Sequence, residues 1–321
     1  MFARLVRWRS VRLIGPRAIR SVARKARRPL RQLSLPAFVV AWVAGASIVH
    51  AAETQVSTAQ VSGAKTDGTQ ATSVSGSGVT NSSGDHAVDS RLDQILASHR
   101  LRVCTTGDYK PYSFLRPDGQ YEGIDIELAQ SLAKSLGAKV EFVATTWPKL
   151  VDDFLARCDI AVGGVSTTLE RQKRAAFSNA YMIDGKTPIA RCDAVGRFQT
   201  LSDIDQPSVR VIVNPGGTNE KFAREHLMHA HIEVYPDNVT IFRQIADGKA
   251  DVMVTDGSET RLQHKLNPAL CPVNPDKPLQ YGEKAILLPR GDVAFQAYVD
   301  QWLHLLRATG DFDKIVDAWL K

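Results

Sequence analysis

The stretch DVMVTDGSET, residues 251–260, decides what kind of fold the chain can form. Its first part is a short apolar run that stops at Asp256, which is typical of a buried strand. A helix start follows at about residue 258, with a second acid, Glu259, in its first turn. Burying two carboxylates costs free energy unless they have partners. The stretch therefore predicts an α/β fold with a functional site at the end of this strand.

Other segments repeat the pattern of short runs rich in Val and Ile that end at Gly, Pro, Asn or Asp. These strand candidates are LRVCTT (101–106), KVEFVAT (139–145), DIAVGGV (159–165), VRVIVN (209–214) and IEVYP (232–236). Helical patterns lie between them. Their apolar positions are Ile124, Leu128, Leu132 and Leu136, ending at Gly137; Leu150, Phe154 and Leu155 after Pro148; and Ile241, Phe242 and Ile245 within 239–246. Strands that alternate with helices predict βαβ units, and hence parallel sheets covered on both faces.

The C-terminal stretch 292–321 has apolar residues at helical spacing. They are Phe295, Tyr298, Val299, Trp302, Leu305 and Leu306. This pattern predicts helix, and its aromatic stripe is typical of core packing rather than of a cofactor site.

The N-terminal residues have the order of a secretory signal. Residues 1–33 carry eleven Lys or Arg and no acid, and the apolar stretch LPAFVVAWVAGASIVHAAE (35–53) follows and ends in small residues. This predicts a signal peptide over 1–52, cleaved near Ala51 or Ala52. A membrane anchor is the alternative, but the run from 37 to 52 is shorter than the roughly 20 residues that a span needs.

Residues 53–90 are rich in Ser, Thr and Gly and predict a flexible leader, because they have too little apolar surface to offset the entropy of ordering. The net charge of +6 comes from 40 basic and 34 acidic residues. Without the eleven basic residues of the signal, 29 basic residues face 34 acids, a net charge of about −5. Nucleic-acid binding therefore loses its main support.

The four cysteines, Cys104, Cys158, Cys192 and Cys271, contain no CxxC pair, which argues against a redox motif or zinc ribbon. An exported protein meets an oxidising compartment, so a disulfide is plausible, and four cysteines allow three full pairings. The cluster HLMHAH (226–231) lacks an HExxH motif or a cysteine partner, and it favours a solvated helix end over a metal site.

Four segments, in order, resemble the polar amino-acid periplasmic binding proteins. They are DYKPYSFLRPDGQYEGIDIELAQSLAKSLG (108–137), CDIAVGGVSTTLERQKRAAFSNAYM (158–182), NPGGTNEKFAREHL (214–227) and GKADVMVTD (248–256). The resemblance covers 91–321. It implies an α/β, two-lobed type II fold with parallel-dominated sheets and two crossing hinge strands. Lobe 1 is then 91–183 with 284–321, and lobe 2 is 184–283. Cys192 and Cys271 both fall in lobe 2, where they could pair.

The resemblance also implies which residues bind a ligand in the cleft between the lobes. Arg171 corresponds to the residue that holds a ligand carboxylate, and a guanidinium suits that task because it binds carboxylates bidentately. The amides of Gly164, Ser166 and Thr167 are expected to point at the same anion. The other expected contacts are Gly217, Thr218, Asn214 and Asp256, with Trp147 and Tyr109 as an aromatic wall; core packing is the alternative for Tyr112 and Phe114.

Several phrases, among them RVCTTGDYKPYSF (102–114) and TDGSET (255–260), resemble the exported cyclohexadienyl dehydratases of that superfamily. These enzymes act on prephenate and arogenate without a cofactor or metal, and Glu259 matches the place of a proton donor. A free Glu with a pKa near 4.3 is protonated roughly once in 500 at pH 7, so the site must raise its pKa. Desolvation and repulsion from Asp256 are expected to outweigh the helix N-terminus, which favours the ionised form.

A different class of function remains open at this point. An amino-acid receptor for a transporter needs no second acid, so Glu259 is then a solvated first-turn residue. A sensor that closes on a ligand without turnover is a weaker possibility. The expected partners are small molecules, with no nucleic acid and no stable membrane anchor, and with a homo-oligomer as an open option.

Overall fold

The computed structural model describes residues 90–321, and this part of the chain forms two five-stranded sheets with helices packed on them. The helices are α1 (Arg91–Ser98), α2 (Ile124–Ser135), α3 (Leu150–Arg157), α4 (Leu169–Gln172), α5 (Leu201–Ile204), α6 (Thr218–His226), α7 (Ile241–Ala246), α8 (Gly257–Leu266), α9 (Val293–Ala308) and α10 (Asp311–Leu320). Two 3₁₀ helices are Trp147–Lys149 and Cys192–Arg197.

The strands are short, as the sequence predicted. They are β1 (Arg100–Thr105), β2 (Asp108–Tyr109), β3 (Ser113–Leu115), β4 (Tyr121–Glu122), β5 (Lys139–Ala144), β6 (Ile160–Ala161), β7 (Ala176–Phe177), β8 (Met182–Ile183), β9 (Lys186–Arg191), β10 (Arg210–Val213), β11 (His231–Val234), β12 (Val252–Asp256), β13 (Leu270–Pro272), β14 (Glu283–Lys284) and β15 (Leu287–Leu288).

The first sheet has the strand order β5-β1-β6-β15-β7. Strands β5, β1 and β6 are parallel, and β15 runs antiparallel to both β6 and β7. Helices α2 and α3 contact β1. Leu101, Val103, Leu128 and Leu132 are fully buried in the apolar core between these elements. We call the part of the chain around this sheet lobe 1.

The second sheet has the strand order β11-β10-β12-β9-β13. Strands β11, β10 and β12 are parallel, whereas β9 is antiparallel to its neighbours β12 and β13. Each sheet is therefore mixed, with three parallel strands followed by two antiparallel contacts. All five residues of β12 are buried, which is what its continuous apolar run predicted. We call the part of the chain around this sheet lobe 2.

Strands β8 and β14 form a separate antiparallel pair, in which Met182 faces Lys284 and Ile183 faces Glu283. These residues lie next to the two lobe boundaries that the sequence resemblance implied, and those boundaries stay a prediction. The predicted signal peptide and nearly all of the predicted leader lie outside the described residues. Within 90–321, no helix combines the length and the apolar character that a membrane crossing requires.

Three details differ from the sequence predictions. The C-terminal stretch breaks into α9 and α10 at Gly310, whose positive φ of 76° ends the first helix. Leu155 was expected to face inward but is 45% exposed, because Leu150 and Phe154 define the buried side of α3. Leu305 was expected in the core but is 53% exposed, on the outer side of α9.

Two disulfides tie the lobes internally. Cys104 in β1 is bonded to Cys158 after α3, and both residues lie in the apolar core of lobe 1. Cys192 is bonded to Cys271 in β13, which confirms the pairing that the sequence left open. The second disulfide is half-buried.

The two disulfides predict different losses of stability. The bonds span 54 and 79 residues, so loop entropy alone gives each about 4 to 4.5 kcal/mol. Replacing Cys104 and Cys158 by Ala should cost more than the same change at Cys192 and Cys271, because it also leaves a gap in a packed core. Urea unfolding of the two double variants measures this. An equal or smaller loss for the buried pair contradicts the packing argument.

Candidate active site

The end of β12 and the start of α8 place two acids at the centre of the site. Asp256 is the last residue of the strand and Glu259 lies in the first turn of the helix, three residues later. Both side chains are buried, and Glu259 is only 2% exposed. The solvated first-turn glutamate that the sequence allowed as an alternative is therefore wrong.

Two buried lysines surround Asp256. Lys186 at the start of β9 donates from Nζ to Oδ1 at 2.9 Å, and Lys284 in β14 donates from Nζ to Oδ2. The Tyr109 hydroxyl also donates to Oδ2. Buried ions of one sign need partners of the other, so one carboxylate between two ammonium groups leaves positive charge for a further anion.

A directed chain of hydrogen bonds leads from Lys186 to Glu259. Lys186 Nζ donates to Asn219 Oδ1 at 2.5 Å, Asn219 Nδ2 donates to Thr255 Oγ1 at 3.0 Å, and Thr255 Oγ1 donates to Glu259 Oε2 at 2.5 Å. Asn219 and Thr255 therefore each accept a hydrogen bond from the preceding residue of the chain of bonds and donate one to the next. Oε2 is therefore an acceptor in this chain, and the proton of a neutral Glu259 belongs on Oε1.

The surroundings shift the pKa values of the two acids in opposite directions. Burial raises the pKa of Glu259 well above its usual range; the charge of Asp256 raises it further, while the Thr255 bond and the two lysines oppose the shift. Burial alone would raise the pKa of Asp256, but Lys186 and Lys284 outweigh it and hold that pKa below its usual value. The surroundings thus favour the neutral form of Glu259 and the ionised form of Asp256.

Aromatic rings from lobe 1 cover this cluster. Tyr109 and Tyr112 are stacked with ring centres 5.4 Å apart, and Trp147 meets Tyr109 edge to face at 5.6 Å. Lys284 Nζ lies 5.5 Å from both tyrosine ring centres. Gly164 packs against the two tyrosines, and a Cβ there would lie 2.6 Å from either ring, so only glycine fits.

Arg171 lies at the outer edge of the site, in the short helix α4. Its Nη1 donates to the Ser166 carbonyl oxygen at 2.8 Å. Burial lowers the pKa of Arg171 to about 10, against the opposing effect of Asp256 and Glu170, so it is a cation at neutral pH. The remaining guanidinium N–H groups can bind an anion.

The amides predicted to point at that anion differ from expectation. Gly164 N–H donates to Asp125 Oδ2 at 2.7 Å, and Thr167 N–H donates to the Glu283 carbonyl oxygen at 3.0 Å. Both amides are thus used within the protein. The Ser166 hydroxyl accepts from Lys284 Nζ at 3.0 Å, so this residue reaches the site through its side chain.

The glycine loop before α6 supplies the wall from lobe 2. Gly217 precedes the first residue of α6, and Thr218 Oγ1 accepts from Lys186 Nζ at 3.0 Å. Asn214 Oδ1 accepts from Asn219 Nδ2 at 3.1 Å. All of these residues therefore lie in the same network as the two acids.

Two cavities lie along the cleft. The outer one, about 350 Å³, is lined by Arg171, Trp147, Gly217 and Thr218 among others. The inner one is about 10 Å³, room for little more than a water molecule. Its lining is Tyr109, Trp147, Gly164, Ser166, Asn214, Gly217, Thr218, Asn219, Asn238 and Asp256. Thr167 borders a third cavity beside Lys186, and in the described part of the chain Glu259 lines none of the three.

Sequence reasoning missed several residues of this site: Lys186, Lys284, Asn219, Asn238, Asp184 and Ser258. A lysine is rarely buried unless it is paired. Lys186 and Lys284 each stand at the start of an apolar run, KTPIA and KAILL. A lysine at that position could have indicated a buried and paired side chain. The substrate-binding roles of the predicted residues stay predictions.

Comparison with known proteins places this geometry in a family. The family model of bacterial extracellular solute-binding proteins, family 3, matches residues 101–321. A cyclohexadienyl dehydratase of Pseudomonas aeruginosa is 57% identical over 236 residues, which cover 73% of this chain and 88% of that protein. The L-cystine-binding protein of Escherichia coli is 25% identical, over 71% of this chain and 85% of its own.

One solved structure is similar over the same region. It is an ancestral amino acid-binding protein described as a precursor of cyclohexadienyl dehydratase, with 36% identity and a TM-score of 0.68. The match covers 72% of this chain and all of that one. Because the family model matches about two thirds of this chain, the chain belongs to family 3 of the bacterial extracellular solute-binding proteins.

Proposed function

We propose that this protein is an exported cyclohexadienyl dehydratase, a carbon–oxygen lyase that converts prephenate to phenylpyruvate and arogenate to phenylalanine. The observation that carries the proposal is the buried carboxyl of Glu259, three residues from Asp256 with its two buried lysine partners, where burial raises the pKa of Glu259. The high identity to the dehydratase of Pseudomonas aeruginosa supports it. The family description as extracellular proteins supports a periplasmic location.

The reaction needs one well-placed proton. Both substrates carry a hydroxyl at ring C4 and a carboxylate at C1. Glu259 Oε1 donates its proton to the hydroxyl, and the C–O bond breaks with its electrons leaving on water. The electrons of the bond between C1 and the carboxylate enter the ring, which becomes aromatic as CO2 departs. Glu259 then regains a proton from solvent.

The hydrogen bonds around Glu259 suit this role. Thr255 donates to Oε2, and its own acceptor is occupied by Asn219, so Oε2 is fixed as an acceptor. Oε1 is then the oxygen that can present a proton to a ligand. The aromatic wall of Tyr109 and Trp147 suits a flat diene ring and excludes water.

The charges favour a substrate with two carboxylates over a simple amino acid. In an amino-acid receptor, the acid at position 256 pairs with the ligand ammonium. Here its oxygens already accept from Lys186, Lys284 and Tyr109. A simple amino acid brings one carboxylate to the cations Arg171, Lys186 and Lys284, whereas prephenate and arogenate each bring two. This is the feature that weighs against the receptor alternative.

The substrate must enter a wider cleft than the one described. The inner cavity of about 10 Å³ is far smaller than a six-membered ring with two carboxylates. The outer cavity of about 350 Å³ shares Trp147, Gly217 and Thr218 with it. We infer that the substrate binds through the outer cavity with its carboxylate on Arg171, and that the lobes separate to admit the ring.

Glu259→Gln should lower kcat for prephenate by about 10² to 10⁴, the range expected for a general acid, with binding largely kept. The assay is the ultraviolet absorbance of phenylpyruvate, with calorimetry for binding. Glu127→Gln is the matched control, because Glu127 accepts a bond from Trp319 at 2.8 Å away from the cleft. Near wild-type turnover of the Glu259 variant removes this residue from the mechanism.

The activity should depend on pH through Glu259, which faces Asp256, Lys186 and Lys284. Only the neutral acid donates a proton, so kcat should be at its maximum below the raised pKa of Glu259 and fall about tenfold per pH unit above it. A pH profile of kcat measures this limb. A profile in which kcat rises with pH over the same range contradicts a proton donor.

The same shift predicts a pH dependence of stability. A raised folded-state pKa gives stability that is full below the unfolded value, about 4.3, and lost as the pH rises toward the folded value. Glu259→Gln cannot lose a proton, so its stability relative to wild type should increase with pH across that window. Urea unfolding at several pH values checks the sign, and a relative decrease contradicts it.

Arg171→Ala should raise the KM for prephenate by about 10- to 100-fold, because it removes charge-assisted bonds to a carboxylate. The control is Arg157→Ala in α3, because this guanidinium pairs with Asp153 at 3.0 Å and Arg157 lines neither the outer nor the inner cavity. Steady-state kinetics on both variants separates them. An unchanged KM for the Arg171 variant contradicts its assignment.

A further inference from the structure

We propose that Asp184 is a positioning residue that couples closure of the two lobes to placement of Glu259. The inference deepens the dehydratase function proposed above and rests on it. Asp184 follows β8, at the passage of the chain toward lobe 2, and its side chain is buried. It borders only the third cavity, beside Lys186, and lines neither the inner cavity nor the outer one through which we infer that the substrate binds. We therefore assign it a role through its neighbours.

Asp184 accepts three hydrogen bonds. The Ser258 backbone N–H donates to Oδ1 at 2.9 Å, the Ser258 hydroxyl donates to Oδ2 at 2.5 Å, and the Tyr112 hydroxyl donates to Oδ2 at 2.6 Å. The Tyr112 and Ser258 hydroxyls are also 3.0 Å apart. We call these three residues the Asp184 cluster.

The cluster replaces a helix cap that α8 lacks. Asp256 stands at the N-cap position of α8 but makes no side-chain bond to the helix, because Lys186, Lys284 and Tyr109 bind its carboxylate. The first N–H groups of a helix need acceptors from outside. Asp184 supplies one at Ser258, and its negative charge suits the helix N-terminus. Glu259 is the next residue, so the cap holds the turn that carries it.

Tyr112 makes the cap depend on lobe closure. It belongs to the β2–β3 loop of lobe 1, whereas Ser258 belongs to lobe 2. Tyr112 also stacks on Tyr109, whose hydroxyl donates to Asp256. Two tyrosines of lobe 1 therefore contact residues 256 and 258, both of which lie in the turn that leads into Glu259. Separation of the lobes breaks both contacts, and closure restores them.

The chain offers a matched pair of variants for the test. Tyr112→Phe removes the bond to Asp184 between the lobes. Tyr181→Phe removes an equally buried tyrosine bond, from the hydroxyl to Asp125 Oδ2 at 2.7 Å, within lobe 1. We expect Tyr112→Phe to lower kcat for prephenate about tenfold or more with KM changed less than about threefold, as for loss of one bond to a charged group. The pH above which kcat of the Tyr112→Phe variant falls, which we call the alkaline limb of its pH profile, should also shift. Tyr181→Phe should leave both unchanged.

Two further variants address Asp184 itself. Asp184→Ala removes the cap, and we expect a larger loss of kcat than for Tyr112→Phe. Asp184→Asn keeps an acceptor for the Ser258 N–H, and it should recover part of that loss. If Asp184→Ala does not fold, Ser258→Ala and Tyr112→Phe carry the comparison. A wild-type kcat and alkaline limb for Tyr112→Phe, or a rise in KM alone, overturns the coupling.

The two proposals fail in distinguishable ways. If the wild-type protein turns over neither prephenate nor arogenate, the dehydratase function is wrong. Amide hydrogen exchange over residues 257–260 still tests the cluster in that case. Faster exchange in Tyr112→Phe than in Tyr181→Phe and wild type supports positioning by the cluster. Equal exchange in all three overturns it.

Discussion

The ion pairs buried at the junction of β9, β12 and β14 constrain the rest of the site, because each buried charge needs a partner of the opposite sign close by. Asp256 is nearly inaccessible to water and lies between the ammonium groups of Lys186 and Lys284. Removing one partner of such a set leaves an unpaired buried charge, which costs several kcal/mol. The three residues come from β12, β9 and β14, so the balance fixes the relation of three separate strands.

The same cluster explains how two acids three residues apart come to differ in protonation. Asp256 takes the neighbouring positive charge, and Glu259 is left with burial and with the negative charge of Asp256. Position rather than residue type thus favours the ionised form of one acid and the neutral form of the other. The hydrogen bonds of Asn219 and Thr255 connect this charged cluster to Glu259.

Much of the fold could be predicted from the sequence, because it depends on local periodicity. The buried strand at 251–256 and the helix after it follow from the apolar run and from the residues that end it. The exposure of Leu155 and Leu305 could not be predicted in this way, because it depends on which neighbouring elements pack against the helix. The antiparallel direction of β9 and β15 could not be predicted either, because it depends on how the chain connects the strands and not on the residues within them.

The two acids at the centre of the candidate site could be predicted from the sequence, but most of the residues that surround them could not. Glu259 and Asp256 were visible because two acids at a strand end are unusual. Lys186 and Lys284 lie 70 and 28 residues from Asp256 in the chain, and Tyr112 and Ser258 lie 146 apart. Lys186 meets Asp256 across the neighbouring strands β12 and β9, and Tyr112 meets Ser258 across the two lobes, so no local pattern encodes these contacts. The amides of Gly164 and Thr167 were misjudged for the same reason, since their acceptors lie elsewhere in the chain.

The contacts that hold the cleft shut oppose the binding of a substrate. Lys221 and Glu170 join the lobes at the rim, Asn238 Nδ2 donates to the Asp108 carbonyl oxygen at 3.1 Å, and Tyr109 bonds to Asp256. Each of these contacts favours the shut form over the open form that admits a ring. Apparent affinity is proportional to the fraction of molecules in the open form, so a stable shut form weakens it. Substitutions that weaken these contacts between the lobes should thus tighten measured binding. The stability of the shut form therefore sets a balance between substrate binding and the reaction.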